Sequence, residues 1–330
     1  MEDPNKKIIE QFYQTIAPLK YKKLHFSISP NSPTYCIGWI GALLRNNFMF
    51  AAENIPMQNY HGYSFREFIQ TPYLNESHPL HTQCKGGLPK GISLQLHNYL
   101  NPVSETWIMP DHPIHFSIIL YGIFMQYVSE CISTIQQMCT NGLGHPKVPF
   151  LFKQEIESKS EVNIQDFINR KFRKNENTIV VHLPIPLNLS NNAFKRDDKS
   201  TIIHKLGFPE FYPFIRSISD RIVKLASIYV FPDRPDYYLH ADALIEPFTS
   251  YAASVSFSAV NIQLINLYST PKERQKKRLR FSGYVGQIEY NGYFNYYLPL
   301  LYFAQALGAG HNTAYGLGQF FISKKETFTQ

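Results

Sequence analysis

Tyr296-Tyr-Leu-Pro-Leu-Leu-Tyr-Phe-Ala-Gln-Ala-Leu307, Gly308-Ala-Gly-His311-Asn-Thr-Ala-Tyr315-Gly-Leu-Gly318 and Gln319-Phe-Phe-Ile322 follow one another without a break. They read as an apolar helix, a glycine loop and a strand. Four glycines in eleven residues free the backbone to approach a ligand closely and to turn N–H groups outward. The same order occurs earlier in the chain. The apolar run Ile118 to Met138 leads to Gly142-Leu-Gly-His145 and then to the strand-like Val148 to Phe152. A helix, a Gly-x-Gly-His and a strand, met twice, describe a duplicated unit whose loops face an anion.

Working outward, each half carries the same alternation of periods. Leu24 to Ile28 is a strand, Ile40 to Ala52 a helix, Ile92 to Leu96 and Ile114 to Leu120 two strands, Tyr121 to Met138 a helix, and Val148 to Phe152 a strand. In the second half, Thr178 to Leu183, Ser254 to Ile265, Leu279 to Tyr290 and Ala314 to Ile322 are strands. Phe211 to Ala226 and Tyr296 to Leu307 are the helices between them. The expected fold is α+β, two tandem ferredoxin-like (RRM-like) βαββαβ domains at 1–156 and 178–330. The charged, polar segment 157–177 between them reads as a linker or peripheral insertion.

Composition narrows the function classes. A chain of 330 residues with 44% hydrophobic and 17% charged residues builds packed domains and is not a disordered protein. The net charge of +7 favours an anionic partner. Four cysteines are too few for a disulfide scaffold and read as reduced thiols. The longest apolar stretch, Ile114 to Met138, is interrupted by Ser117, Gln126, Ser129 and Glu130, so no membrane span and a cytoplasmic location are expected.

The densest positive cluster is Arg274-Gln-Lys276-Lys277-Arg278-Leu-Arg280, in the turn between two strands. It serves either as a solvated hairpin tip or as a contact to phosphates, which relieve the mutual repulsion of such cations. Gly308 and Gly310 fit a helix C-terminus, whereas Gly316 and Gly318 enter the last strand, where close approach of a ligand is a reason to keep them. No Walker or dinucleotide-binding motif is present. His78, His81 and Cys84 have the spacing of metal ligands but lack a local fourth, and neither a metal nor a cofactor is expected.

The segment from Arg274-Gln275 through Phe281-Ser-Gly-Tyr-Val-Gly286 to Gly310-His-Asn-Thr-Ala-Tyr-Gly-Leu-Gly318 resembles the CRISPR-associated RAMP-superfamily endoribonucleases that process repeat RNA. Leu44-Arg45-x-x-Phe48 and Gly142-Leu-Gly144 are weaker echoes in the first half. The resemblance implies cleavage of precursor CRISPR RNA within its repeats, without a metal. The 2′-hydroxyl would attack the adjacent phosphate, giving a 2′,3′-cyclic phosphate and a 5′-hydroxyl. It implies CRISPR repeat RNA as the partner, and CRISPR effector or adaptation proteins as further ones. The RNA contacts it implies are Arg45, Arg274, Lys276, Lys277, Arg278, Arg280, Gly308, Gly310, Asn312, Tyr315, Gly316 and Gly318.

Such enzymes often carry a catalytic histidine in or just after the first helix of the first domain, and here Ile40 to Glu53 has none. The candidate bases are His61, between Tyr60 and Tyr63, and His311 in the glycine loop. His25 precedes that helix, and His145 matches His311 only by internal symmetry. Two alternatives stay open: a non-catalytic RNA-binding subunit of a CRISPR effector complex, and a basic globular protein whose glycines serve turns alone.

Overall fold

The protein is described from a computed structural model, over residues 4–57, 64–70, 78–80, 89–98, 105–154, 161–170, 177–189, 209–269 and 280–324. The first half runs α1 (Pro4–Ile16), β1 (Lys20–Pro30), β2 (Thr34–Ile37), α2 (Ile40–Ala51), α3 (Phe65–Gln70), β3 (Ile92–Leu96), β4 (Glu105–Ile108), β5 (Ile114–Tyr121), α4 (Val128–Asn141) and β6 (Phe150–Gln154). Then come β7 (Val162–Asn163), α5 (Gln165–Ile168), β8 (Thr178–Leu187), α6 (Phe211–Tyr229), α7 (Pro235–Thr249), β9 (Ser256–Tyr268), β10 (Arg280–Asn291), α8 (Leu298–Leu307) and β11 (Phe321–Lys324).

Alternation along β1 turns Leu24, Phe26 and Ile28 to one face, and antiparallel pairing sets Leu24 against Ile118 and Phe26 against Phe116 of β5. The resulting sheet has the order β3-β5-β1-β6, with β7 added on β1. In the second sheet the order is β11-β8-β10-β9. Counted within each half, both give strands in the order 4-1-3-2, all antiparallel, which is the ferredoxin-like arrangement read from the sequence.

Helix α6 illustrates the packing. Phe211, Phe214, Ile215, Ile218, Ile222, Leu225, Ala226 and Tyr229 recur at helical spacing and are all buried. The high aromatic content is largely core: Phe12 stacks on Phe248 at 4.0 Å, and Phe248 and Phe211 both meet Tyr297 edge-on. Burying each such ring is worth about 1.5–3 kcal/mol. In β10 the buried positions Phe281, Gly283 and Val285 change phase to Ile288 and Tyr290 at Gly286, where φ is 124° and the pairing with β8 slips. This β-bulge is a conformation that glycine adopts most readily.

Several elements differ from the expectations. The helix expected over Tyr121 to Met138 is split. Tyr121 ends β5, Gly122 turns the chain at φ 51°, a 3₁₀ segment covers Gly122–Gln126, and α4 begins at Val128. The strand expected from Ala314 is only β11, and Thr313–Tyr315 is a 3₁₀ turn. Positive φ at Gly308, Gly310, Asn312, Gly316 and Gly318 prevents extended pairing there, so Gly316 and Gly318 lie in the loop. Elements α1, α3, α7 and the two-stranded sheet of β2 and β4 were not anticipated. Within the segment read as linker or insertion, β7 pairs with β1, and Phe167 of α5 packs on Phe303. Cys36, Cys131 and Cys139 are buried free thiols. No described helix is long and apolar enough to cross a membrane.

Candidate RNA-cleavage site

The glycine loop is folded on itself. Its N–H groups at 308, 309, 310, 311, 315, 316, 317 and 318 all donate within the protein: Gly310 to Ser217 Oγ, His311 to the Asn188 carbonyl, Gly318 to the Pro186 carbonyl, and the other five within the helix and loop. A Cβ on Gly310 would collide with the Asn188 carbonyl, and one on Gly318 with that of Ala309. The close backbone approach at these two glycines is therefore to the chain's own backbone. This differs from the expected outward display of N–H groups, since the loop spends most of them in holding its shape.

What the loop presents is the turn Thr313–Tyr315, set against α2. Trp39, fully buried at the start of α2, donates its indole N–H to the Tyr315 carbonyl at 2.9 Å and its main-chain N–H to the Tyr268 carbonyl at 2.7 Å. Gly41 allows this approach, because a Cβ there would meet the Tyr315 carbonyl and the Trp39 indole. One turn further along α2, the Arg45 guanidinium lies over the Tyr315 ring, 4.6 Å from its centroid. The other neighbour of that ring is Phe281, at 5.0 Å.

Phe281 follows Arg280, and Arg280 pairs in register with Tyr268. The two ends of the basic turn are thus rooted beside Trp39 and Tyr315. Arg280 is exposed and donates through Nε to Asn266 Oδ1 at 2.9 Å. The structure brings Arg45, Tyr315 and Arg280 to one region. Arg274, Lys276, Lys277 and Arg278 lie outside the described residues, as does His61.

His311 faces a different set of groups. It is exposed, and the charges acting on it belong to α6. Partial desolvation holds its imidazole below the ordinary histidine range; Lys224 and Arg221 add to that, and Asp220 opposes them. This shift favours the neutral ring, the form that a proton acceptor needs. Asn312, next to it, is the one described non-glycine residue in the left-handed conformation (φ 62°). His25 bonds to Ser117 Oγ, which also meets His97 Nε2. That cluster is on the sheet face opposite Leu24 and Phe26, away from α2. His145 is joined to Tyr35 through backbone bonds in both directions.

Below Arg45 a cavity of about 40 Å³ opens between α2, β3 and the loop. Leu44, Phe48, Leu94 and Met138 line it, and Lys90 and Ala314 share its rim with Arg45. Trp39, Gly41 and Lys90 were missed in the sequence, where none of them belongs to a recognisable motif. Among the described residues, no cluster of three or more His, Cys, Asp or Glu side chains could hold a metal. His78 of the proposed spacing is buried, and His81 and Cys84 lie outside the described residues.

The chain thus combines two ferredoxin-like sheets with a glycine loop seated against the first helix of the first βαββαβ unit. Residues 181–320 match the family described as CRISPR-associated endoribonuclease Cas6. The fold is similar to that of Thermus thermophilus Cas6 (TM-score 0.50, 10% identity, 92% of this chain and 99% of that one) and of its product complex (TM-score 0.53, 10% identity, the same coverage). It is also similar to part of a chain in a partial Cas6-RT-Cas1–Cas2 complex (TM-score 0.55, 12% identity, 94% of this chain and 48% of that one). No curated protein sequence matches the chain.

Proposed function

We propose that the protein cuts precursor CRISPR RNA inside its repeats by metal-independent transesterification. A 2′-oxygen attacks the neighbouring phosphorus, the bond to the 5′-oxygen breaks, and the products are a 2′,3′-cyclic phosphate and a 5′-hydroxyl. The observation that carries this reading is the Arg45 guanidinium over Tyr315, which holds a cation between α2 and the glycine loop. No carboxylate among the described residues pairs with Arg45. A fixed guanidinium stabilises the charge that develops on a phosphorane and so supplies part of what a metal ion otherwise would.

The modules at 1–156 and 178–330 would clasp one RNA. Arg45, Arg280, Tyr315 and Asn312 would contact it from the described surface, and the turn carrying Arg274, Lys276, Lys277 and Arg278 would contact its backbone. Gly308, Gly310, Gly316 and Gly318 would act by holding the loop that presents Tyr315. His311, exposed and with its pKa lowered by its surroundings, is the described candidate for the base that takes the 2′-proton; His61 is the other. The likeness of the fold to part of a chain in a Cas6-RT-Cas1–Cas2 complex supports adaptation proteins as further partners.

Incubation of the purified protein with transcripts of the CRISPR repeat from its own genome, in EDTA, tests the reading. A single cut per repeat leaving a cyclic phosphate is expected. Tight binding without cleavage would overturn it.

A further inference from the structure

Lys90, just before β3, is a half-buried cation tied to the end of α3 by a 3.1 Å bond from Nζ to the Gln70 carbonyl. It shares the rim of the cavity beneath Arg45, where Ala314, the residue before Tyr315, forms another part. Burial holds its ammonium below the ordinary lysine range, and the positive charge of Arg45 adds to that. Among the described residues neither cation meets a carboxylate, and no histidine lines this cavity. Two like charges held together on a half-buried rim repel, and a phosphodiester between them removes that repulsion.

The two cations differ in chemistry. A guanidinium does not give up a proton in a protein, whereas a partly desolvated ammonium beside another cation does so more readily than one in water. From this juxtaposition we infer that the rim between Arg45 and Lys90 is the seat of the scissile phosphate and that Lys90 protonates the leaving 5′-oxygen. The inference rests on the cleavage reaction proposed above. As the 2′-oxygen–phosphorus bond forms, the electron pair of the breaking phosphorus–oxygen bond goes to the 5′-oxygen. Lys90 Nζ gives that oxygen its proton and is left as a neutral amine. The proton released by the 2′-hydroxyl passes to the base and on to water, and water restores the ammonium. Arg45 remains charged throughout.

The test uses the full chain and two forms of one repeat RNA, the ordinary transcript and one with sulfur replacing the 5′-oxygen at the cleavage point. A thiolate leaves without needing a proton. Lys90→Arg keeps the charge and removes the transferable proton; Lys90→Met removes both. Each variant is expected to cleave ordinary RNA about 10²–10⁴-fold more slowly than wild type. Lys90→Arg is expected to bind the RNA normally, and to cleave the sulfur substrate within a few-fold of the wild-type rate. Normal cleavage of ordinary RNA by Lys90→Arg would overturn the assignment, and so would an equal loss on both substrates. If the wild-type protein cleaves neither RNA, the reaction itself has been misread. A Lys90→Met chain that does not fold leaves Lys90→Arg to decide.

Discussion

The indole N–H of Trp39 reaches the main-chain carbonyl of Tyr315 over 2.9 Å, joining residues 276 positions apart and fixing α2 against the glycine loop. Because the ring is fully buried, the bond has no water to replace it. Trp39→Phe keeps an aromatic filler and deletes the donor. The loss is expected to be roughly 1–3 kcal/mol, the cost of a buried acceptor left unpaired. At about 2–4 °C per kcal/mol for domains of this size, thermal unfolding reads it directly. An unchanged melting temperature would show that the bond does not hold the two elements together.

Gly41→Ala sets two effects against each other. Alanine in place of a helical glycine gains about 1 kcal/mol of helix propensity. The new Cβ, however, would collide with the Tyr315 carbonyl and the Trp39 indole, and overpacking costs about 1–3 kcal/mol. The variant is expected to be net destabilised in urea titration. It should also cleave repeat RNA more slowly, because the shift that relieves the clash separates Arg45 from Tyr315. A more stable Gly41→Ala protein would mean that the approach is looser than described.

These two residues also mark how far the sequence could be read. The βαββαβ order was legible because periods of two and 3.6 are local. Val181 and Leu183 in β8, and Ile218, Ile222 and Leu225 in α6, announce their elements without reference to anything distant. The helix at Pro235–Thr249 was missed because its apolar positions are scattered and Pro247 sits inside it. The role of the glycines was read only in part. Positive φ is a local property that glycine advertises, but whether a glycine makes room for a ligand or for the Asn188 carbonyl depends on a contact more than a hundred residues away. For the same reason Arg45 was visible through a family pattern, whereas Trp39 and Lys90 acquire meaning only once α2, β3 and the loop meet.

Gly316 and Gly318 separate conformation from contact. Both have positive φ, 76° and 69°, but a Cβ at Gly316 would find only ordinary contacts, whereas one at Gly318 would strike the Ala309 carbonyl. Gly316→Ala should cost about 1–2 kcal/mol of backbone strain and leave a folded loop. Gly318→Ala should cost clearly more and break the bond from Ala309 N–H to the Gly318 carbonyl. Denaturant midpoints of the two variants, measured side by side, check the order; equal midpoints would contradict it.

Arg45→Lys and Arg45→Ala distinguish stacking from charge. Lysine keeps the charge but loses the planar face over Tyr315, so cleavage should fall while the salt dependence of RNA binding is retained. Alanine removes the phosphate contact as well, and the slope of log affinity against log salt should drop by about one. Binding measured across a salt series, with cleavage measured in parallel, separates the two. An unchanged slope in Arg45→Ala would place the guanidinium away from the RNA backbone.

His311 yields a prediction whose sign is fixed by its surroundings. Its pKa is lowered first by desolvation, then by Lys224, with Arg221 adding and Asp220 opposing. A base works when deprotonated, so the cleavage rate should fall only as pH drops below the ordinary histidine value of about 6.5. Lys224→Gln removes a cation and also frees Asp220, which Lys224 pairs at 2.7 Å. Both changes favour the protonated imidazole, raise the His311 pKa and move the acid limb of the rate profile to higher pH. His311→Asn should lower the rate by about 10²–10⁴-fold and nearly preserve RNA affinity. A limb that stays fixed in Lys224→Gln, with His311→Asn still active, would transfer the role of base to His61.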